Sequence, residues 1–143
     1  MAYAVQADLE GHYGQLEVER SAERAADRNH SDIPTAVTKA LVSASNEIDS
    51  YVGVVYDLPL PVVPQRLIDV CCDIGLYRLS YDAGMLTEEK RLRYEDAIKW
   101  LTNLSKGVVE LGIPDVDEPA STELVQMCAS ERLFTRSTMR RLM

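Results

Sequence analysis

Asp69 and Asp73 are the two residues whose type and spacing best suit acid–base chemistry. Four positions apart, they fall on one face of a helix, and carboxylates placed this way can act as general acid and general base. Arg66 and Arg78 stand close by in the sequence and offer these carboxylates ordinary ion-pair partners. The basic neighbours favour a structural or inter-subunit role for Asp69, Asp73 and Arg78 over a catalytic one.

Cysteine and histidine, which commonly bind metals or attack substrates, are not arranged for either task. Cys71 and Cys72 are adjacent, so on a helix their side chains point about 100° apart and cannot face one ion together. We expect both to be buried as small apolar residues. His12 and His30 lack a metal-ligand spacing, and the sequence contains neither a glycine-rich phosphate loop nor a Gly-x-Ser-x-Gly turn. The sequence therefore predicts no enzymatic activity, cofactor or metal.

The composition is that of an acidic globular chain about one domain in length. Of its 143 residues, 15 are Lys or Arg and 23 are Asp or Glu, which gives a net charge of −8. Nucleic-acid binding depends on clustered basic residues, so this balance argues against it as the main task. No apolar run reaches the ~20 residues that cross a bilayer, and the first residues lack a secretory signal pattern.

The hydrophobic periodicity predicts an all-α fold, a small bundle of four to five helices. The predicted helices span residues 5–13, 15–25, 33–52, 64–81 and 88–106. Asp32 and Thr87 are expected as N-caps, and a short strand is expected at 108–112. Three prolines within six positions make residues 56–64 a rigid extended connector. It formally matches a PxxP ligand of SH3 domains, but its apolar character favours a strap buried between two helices.

The fourth predicted helix is apolar over most of its circumference, so we place it at the centre of the bundle, covered on several sides. On the helix that follows, Trp100 falls beside the inward-facing stripe. It is interpreted either as a residue of a wide core or as an anchor for a neighbouring subunit. On the outward face, Glu89 with Arg93 and Glu95 with Lys99 are predicted to form ion pairs.

The character of the sequence changes after residue 112, which divides the chain into a helical body at 1–112 and an extended C-terminal arm at 113–143. The arm lacks a sustained helical stripe, so it cannot form a core of its own. Its last 13 residues carry four arginines and one glutamate, a net charge of +3, which leaves −11 for the rest. Apolar and basic side chains together predict contacts with another protein, and those expected to make them are Leu133, Phe134, Arg136, Met139, Arg140 and Arg141.

Several segments, taken in order, resemble the small head–tail connector proteins of Mu-like bacteriophages and prophages. They are EIDSY at 47–51, YDLPL at 56–60, CDIGLYRL at 72–79, RYEDAIKWL at 93–101 and RLFTRSTMR at 132–140. No one motif is chemically diagnostic, and their order over nearly the whole chain carries the resemblance. The loop at 23–31, short of glycines, and Arg141 depart from the family pattern.

The resemblance implies a virion structural protein, made in the cytoplasm of the host bacterium and located at the neck, where head and tail join. It implies a fold like that of the α-helical adaptors of other long-tailed phages, and a ring of twelve copies. The ring would sit under the portal protein and above the next neck or tail-completion protein, with the arm against the portal or a neighbouring subunit. DNA would pass through the lumen without specific binding, because carboxylates there repel its phosphates.

The basic C-terminal tail leaves a second hypothesis open. A small helical regulatory protein could bind DNA or a host factor through these arginines. A DNA affinity that falls steeply with salt would favour the regulator.

Overall fold

Five α-helices make up the part of the chain that the structure, a computed structural model, describes, which is residues 2–113. They are α1 (Gln6–Tyr13), α2 (Gln15–Asn29), α3 (Ile33–Val52), α4 (Gln65–Ala83) and α5 (Glu88–Ser105). The predicted all-α bundle is confirmed. The unit they form ends at Ile113, and the predicted C-terminal arm lies outside the described residues apart from that residue.

Helix α4 lies at the centre of the bundle, as its apolar circumference predicted, and every other helix packs against it. Ten of its 19 residues are buried, among them Cys71 and Cys72, which are fully covered as small apolar residues. Burial raises the pKa of the Cys72 thiol to about 12. At Gly75, an added Cβ would lie 2.9 Å from the side chain of Leu41, so the missing side chain lets α3 approach α4 closely.

Helix α2 extends four residues beyond its predicted end and ends at Asn29, so it includes most of the loop expected at 23–31. Its buried face consists of small side chains, including Ala22, Ala25 and Ala26. Alanine is the strongest helix former, and the burial of these alanines carries the helix through the turn-forming residues at 27–29. His30, with φ of 52°, ends the helix in the left-handed conformation.

The segment before α1 is part of the core. Tyr3 and Ala4 are buried, and the backbone N–H of Tyr3 donates to the Ser45 hydroxyl at 3.2 Å. The Tyr3 hydroxyl donates to Asp49 on α3. These bonds hold the beginning of the described chain against α3.

The proline-rich connector spans residues 53–64 between α3 and α4, and its part at 56–64 is not the buried strap that its composition predicted. Leu60 is buried in the core, and Tyr56 and Val63 pack against it half-buried, while Val54, Val55, Leu58 and Val62 are between 40% and 68% exposed. The Leu58–Pro59 peptide bond is cis. The three prolines fix φ and lack backbone N–H groups, so the connector forms neither helix nor strand between α3 and α4.

The short strand predicted at 108–112 is wrong. After α5, the N–H of Gly107 donates to the carbonyl of Leu104, and that of Val108 donates to the carbonyl of Asn103, so the chain turns. The N–H of Leu111 then donates to the Tyr56 hydroxyl at 3.0 Å. A strand needs a second strand to pair with, and none lies within residues 2–113. None of the described helices is long and apolar enough to cross a membrane.

Candidate functional site

Asp69 and Asp73 join α4 to α1 in an arrangement that we call the α1 junction. The Asp69 carboxylate lies 2.9 Å from Nε2 of His12 and accepts a bond from Gln65 at 3.1 Å. Asp73 accepts a hydrogen bond from the hydroxyl of Tyr13. Burial and this bond raise the pKa of the tyrosine above its ordinary value. Different donors from α1 therefore engage the two half-buried carboxylates.

The arginines predicted to pair with these aspartates have other partners, so that part of the prediction is wrong. The Arg66 guanidinium lies over the ring of Trp100, 5.5 Å from its centroid. Arg78 reaches in the opposite direction, toward α3, with Nη2 2.5 Å from Glu47 and Nη1 2.8 Å from the Ser43 hydroxyl. Successive side chains of a helix point in different directions, and sequence proximity did not show which partner each arginine would meet.

Glu47 links three helices at a second cluster. One of its carboxylate oxygens pairs with Arg78 of α4, and the other accepts a hydrogen bond from the Tyr94 hydroxyl of α5 at 3.0 Å. Burial, followed by the charge of Glu47, raises the pKa of Tyr94 to about 12. Nε of Arg78 is buried and has no hydrogen-bond partner among the described residues.

A cleft of about 560 Å³ opens beside this cluster, between α3, α4 and α5. We call it the tyrosine cleft. Tyr77 and Tyr94 stack in it with ring centroids 4.1 Å apart, and Tyr81 is 65% exposed at its edge. Its other polar lining residues are Lys39, Ser43, Arg78 and Asp82. Tyrosine and arginine are enriched where proteins contact one another, so the composition suits a protein-binding surface.

A second surface, which we call the apolar end, lies beyond the C-terminal ends of α3 and α5. Its exposed side chains are Val54, Val55, Leu58 and Val62 of the connector, and Val108 follows α5 at 71% exposed. The contact between Tyr56 and the N–H of Leu111 joins the two segments. Sequence reasoning missed this surface because the apolar residues of the connector indicated burial.

Trp100 is half-buried and packs against the core from α5. This position agrees with the interpretation as a residue of a wide core. The role of Trp100 as an anchor for another subunit stays a prediction. Nothing in the described residues tests the inter-subunit roles predicted for Asp69, Asp73 and Arg78 either.

The outer face of α5 carries a series of exposed ion pairs. Arg93 pairs with Glu89 at 2.8 Å, as predicted. The predicted pair of Glu95 with Lys99 is wrong. Glu95 pairs with Arg91 at 2.6 Å instead, and Lys99 pairs with Asp96 at 3.3 Å. These pairs are solvated and leave α5 without an uncompensated charged stripe on this face.

No group of three or more His, Cys, Asp or Glu side chains that could hold a metal ion occurs in the described part of the chain. The predicted arm contacts, which are Leu133, Phe134, Arg136, Met139, Arg140 and Arg141, all lie outside the described residues. The candidate functional surfaces of residues 2–113 are therefore the tyrosine cleft and the apolar end.

Comparison with known proteins identifies a phage family. Residues 3–129 match the family described as Bacteriophage Mu, Gp36. The chain is 41% identical to the Mu-like prophage FluMu protein gp36 of Haemophilus influenzae over 87 residues, which cover 61% of this chain and 60% of that protein. It is 29% identical to gene product J of Escherichia phage Mu over 139 residues, or 95% of this chain and 96% of that protein. The chain belongs to the Bacteriophage Mu Gp36 family, which confirms the resemblance to Mu-like phage proteins.

Proposed function

We propose that this protein is a head–tail connector, a virion structural protein whose copies form a ring under the portal and join the capsid to the tail. The match of residues 3–129 to a Mu phage family is the observation that carries the proposal. The order of motifs that resembles Mu-like connector proteins supplies the specific role.

The surfaces of the described unit support assembly. A closed ring places two different faces of each subunit against each other, so a ring protein needs two unlike surfaces. The tyrosine cleft is lined by aromatic and polar side chains. The apolar end exposes valines and a leucine. The two surfaces differ in chemistry, and they are separate along α3: the cleft borders its middle, at residues 39–43, and the apolar end lies beyond its last residue, Val52.

The polar side chains of the bundle support a structural role over a catalytic one. Asp69 and Asp73 bind α1, and Glu47 joins α3, α4 and α5. These contacts use the carboxylates that would otherwise be candidates for acid–base chemistry. We propose that the protein has no enzymatic activity.

The proposed partners are the portal above the ring, the next neck or tail-completion protein below it, and neighbouring copies at the sides. The arm residues from Leu133 to Arg141 would contact the portal or a neighbouring subunit. DNA would cross the lumen without specific binding, and the acidic chain, at −8, would keep phosphates from adhering.

Electron microscopy of particles that carry a labelled copy of the protein tests this role. We expect the label at the head–tail junction, and we expect deletion of the gene to leave filled heads and separate tails. A label in the tail or on the capsid surface, or intact particles without the gene, would contradict the proposal.

The net charge of +3 in the last 13 residues favours one other function, a regulator that binds DNA. Titration of the full chain with duplex DNA at several salt concentrations distinguishes the two. The connector predicts weak binding, whereas tight binding that falls steeply with salt would favour the regulator.

A further inference from the structure

We propose that the connector of one copy, residues 53–64, docks in the tyrosine cleft of a second copy of this chain. This contact would join neighbouring subunits of the proposed ring. Only the closing of the copies into a ring rests on the proposed function. The contact itself concerns two surfaces of one chain and can be tested with the isolated protein.

The tyrosine cleft has donors without acceptors. The hydroxyls of Tyr77 and Tyr81 make no hydrogen bond among the described residues, and the ammonium group of Lys39 has no ion-pair partner there. Tyr77 and Tyr94 form a stacked pair, and Tyr81 adds an exposed ring. Grooves lined by aromatic rings and hydroxyl donors bind proline-rich segments, whose backbone has no internal hydrogen bonds.

The connector is such a segment. It holds Pro59, Pro61 and Pro64, and Pro64 has φ of −64° and ψ of 145°, the angles of a polyproline II conformation. Pro59 and Pro61 are exposed, as are Leu58 and Val62. Its carbonyl groups can accept the bonds that the cleft offers, and its apolar side chains would lose water against the rings. A cleft of about 560 Å³, the size of clefts that hold a small-molecule ligand, has room for a few residues of the connector.

The charges of the two surfaces also match. Asp57 is an exposed charge of the connector and has no partner in residues 2–113. At the cleft, Arg78 is matched by Glu47, whereas Lys39 is free to pair with an incoming carboxylate. Asp82 also lines the cleft, so the attraction for Asp57 depends on Lys39. We therefore place Asp57 of one copy against Lys39 of the next.

The connector of a chain cannot reach its own cleft. A helix rises about 1.5 Å per residue, so Ser43 at the cleft and Gly53 at the start of the connector lie about 15 Å apart along α3. Leu60 is anchored in the core at 5% exposed, and the N–H of Leu111 bonds to the Tyr56 hydroxyl. These anchors hold the connector at its own end of the bundle. Docking must join two molecules, and because the two surfaces differ, the contact repeats from copy to copy.

Photo-crosslinking identifies the occupant of the cleft. Tyr81 is replaced by p-benzoylphenylalanine in the full chain, which is mixed with isotopically heavy wild-type chain, irradiated and mapped by mass spectrometry. We expect crosslinks to heavy peptides that contain residues 53–64. The same replacement at Leu92, which is 49% exposed on α5, is the control and should not give them. Crosslinks to another segment of the heavy chain, crosslinks within one copy, or none at all would overturn the proposal.

Mixing two variants tests whether the connector of each copy docks in the cleft of the next, and sedimentation velocity measures the association. Tyr81→Ala removes an aromatic ring from the cleft and Val62→Asp places a charge on the connector, and each should weaken self-association at least about tenfold. Both positions are exposed, and far-UV circular dichroism checks that each variant is folded. Mixed, the two variants should form dimers only, because one intact cleft and one intact connector remain per pair. Leu16→Asp, a matched change on α2, should leave association unchanged.

A charge exchange tests the pairing of Asp57 with Lys39. Lys39→Glu would place two carboxylates, with Asp82, opposite Asp57, and we expect association about fivefold weaker. Asp57→Lys alone should weaken it similarly, and the double variant should restore it. If the single changes have no effect, or if the double variant is weaker than either, the proposed register is wrong.

The outcomes separate this contact from the proposed function. A wild-type chain that stays monomeric at every concentration, yet is found at the neck of particles, overturns the contact and leaves the connector role standing. Association through these two surfaces in a protein that is absent from particles overturns the connector role alone.

Discussion

Helix α4 presents polar side chains in two regions, which differ in whether their hydrogen-bonding groups have partners within the described chain. At the α1 junction, Asp69 and Asp73 have partners from the same chain, and Tyr13 lies half-buried under the guanidinium of Arg93, 5.3 Å from its ring centroid. At the tyrosine cleft, two turns further along, Tyr81 is exposed and its hydroxyl has no partner among the described residues. Both regions combine tyrosines with charged groups. The junction is completed within the chain, whereas the cleft needs another molecule to complete it.

The largest loss of stability is expected from a substitution in the core beneath both regions. Ile74 is fully buried on α4, and Ile74→Ala should lower the free energy of unfolding by about 2–5 kcal/mol, because it removes apolar contacts and leaves a cavity. Urea unfolding followed by circular dichroism measures this. A loss below 1 kcal/mol would show that α4 is not packed as described.

Asp73→Ala and Tyr81→Ala test the comparison directly. Asp73→Ala leaves the half-buried Tyr13 hydroxyl without its acceptor, and we expect a loss of about 1–3 kcal/mol in unfolding free energy. Tyr81→Ala removes an exposed ring and should change stability by less than about 0.5 kcal/mol while weakening self-association. If Tyr81→Ala destabilised the monomer as much as Asp73→Ala, the distinction between the two regions would fail.

Alkaline unfolding separates hydroxyls that are bound within the chain from those that are not. The pKa of Tyr94 is raised from its ordinary value of 10.0 to about 12 by burial and by Glu47, so the folded state favours the neutral phenol. Its contribution to stability is complete below pH 10 and is lost as the pH rises through about 12.

We therefore expect the fall in unfolding free energy between pH 10 and 12 to be shallower in Tyr94→Phe than in wild type. Tyr13→Phe should behave in the same way, because its pKa is also raised. Tyr81→Phe, which removes a hydroxyl without a partner in the described chain, is the control. Equal slopes in all three variants would contradict the expectation.

The smallest effect is expected on the outer face of α5. Lys99 and Asp96 are 71% and 76% exposed and lie 3.3 Å apart. Lys99→Ala should change the unfolding free energy by no more than about 0.5 kcal/mol and should not alter self-association. A larger loss would mean that this face is covered in the assembled state, and the thermal midpoint at several protein concentrations would reveal it.

The sequence predicted the elements whose signals are local. The apolar circumference of α4 predicted its central position, and Thr87 was confirmed as the N-cap of α5, where its side chain accepts from the N–H of Lys90. The buried cysteines followed from the same helix pattern. Each of these features depends on neighbours within a few turns of one helix.

The features that depend on distant residues were not predicted. His12 and Asp69 are 57 positions apart, and no spacing rule connects them. Arg78 meets Glu47 for the same reason, through the packing of α3 on α4. The strand predicted at 108–112 would also require a partner strand, which the local sequence cannot supply. The tyrosine cleft was not predicted either, because its lining residues come from three helices and form no motif in the sequence.

The burial of Cys71 and Cys72 gives α4 an internal reporter of bundle opening. Both thiols are fully covered, and burial raises their pKa, so a thiol reagent can reach them only when the helices around them separate. The rate at which the folded protein consumes such a reagent at these two positions would then follow the opening equilibrium of the bundle. Chemical modification could thus follow, within an intact particle, whether attachment to neighbours slows the unfolding of a single subunit.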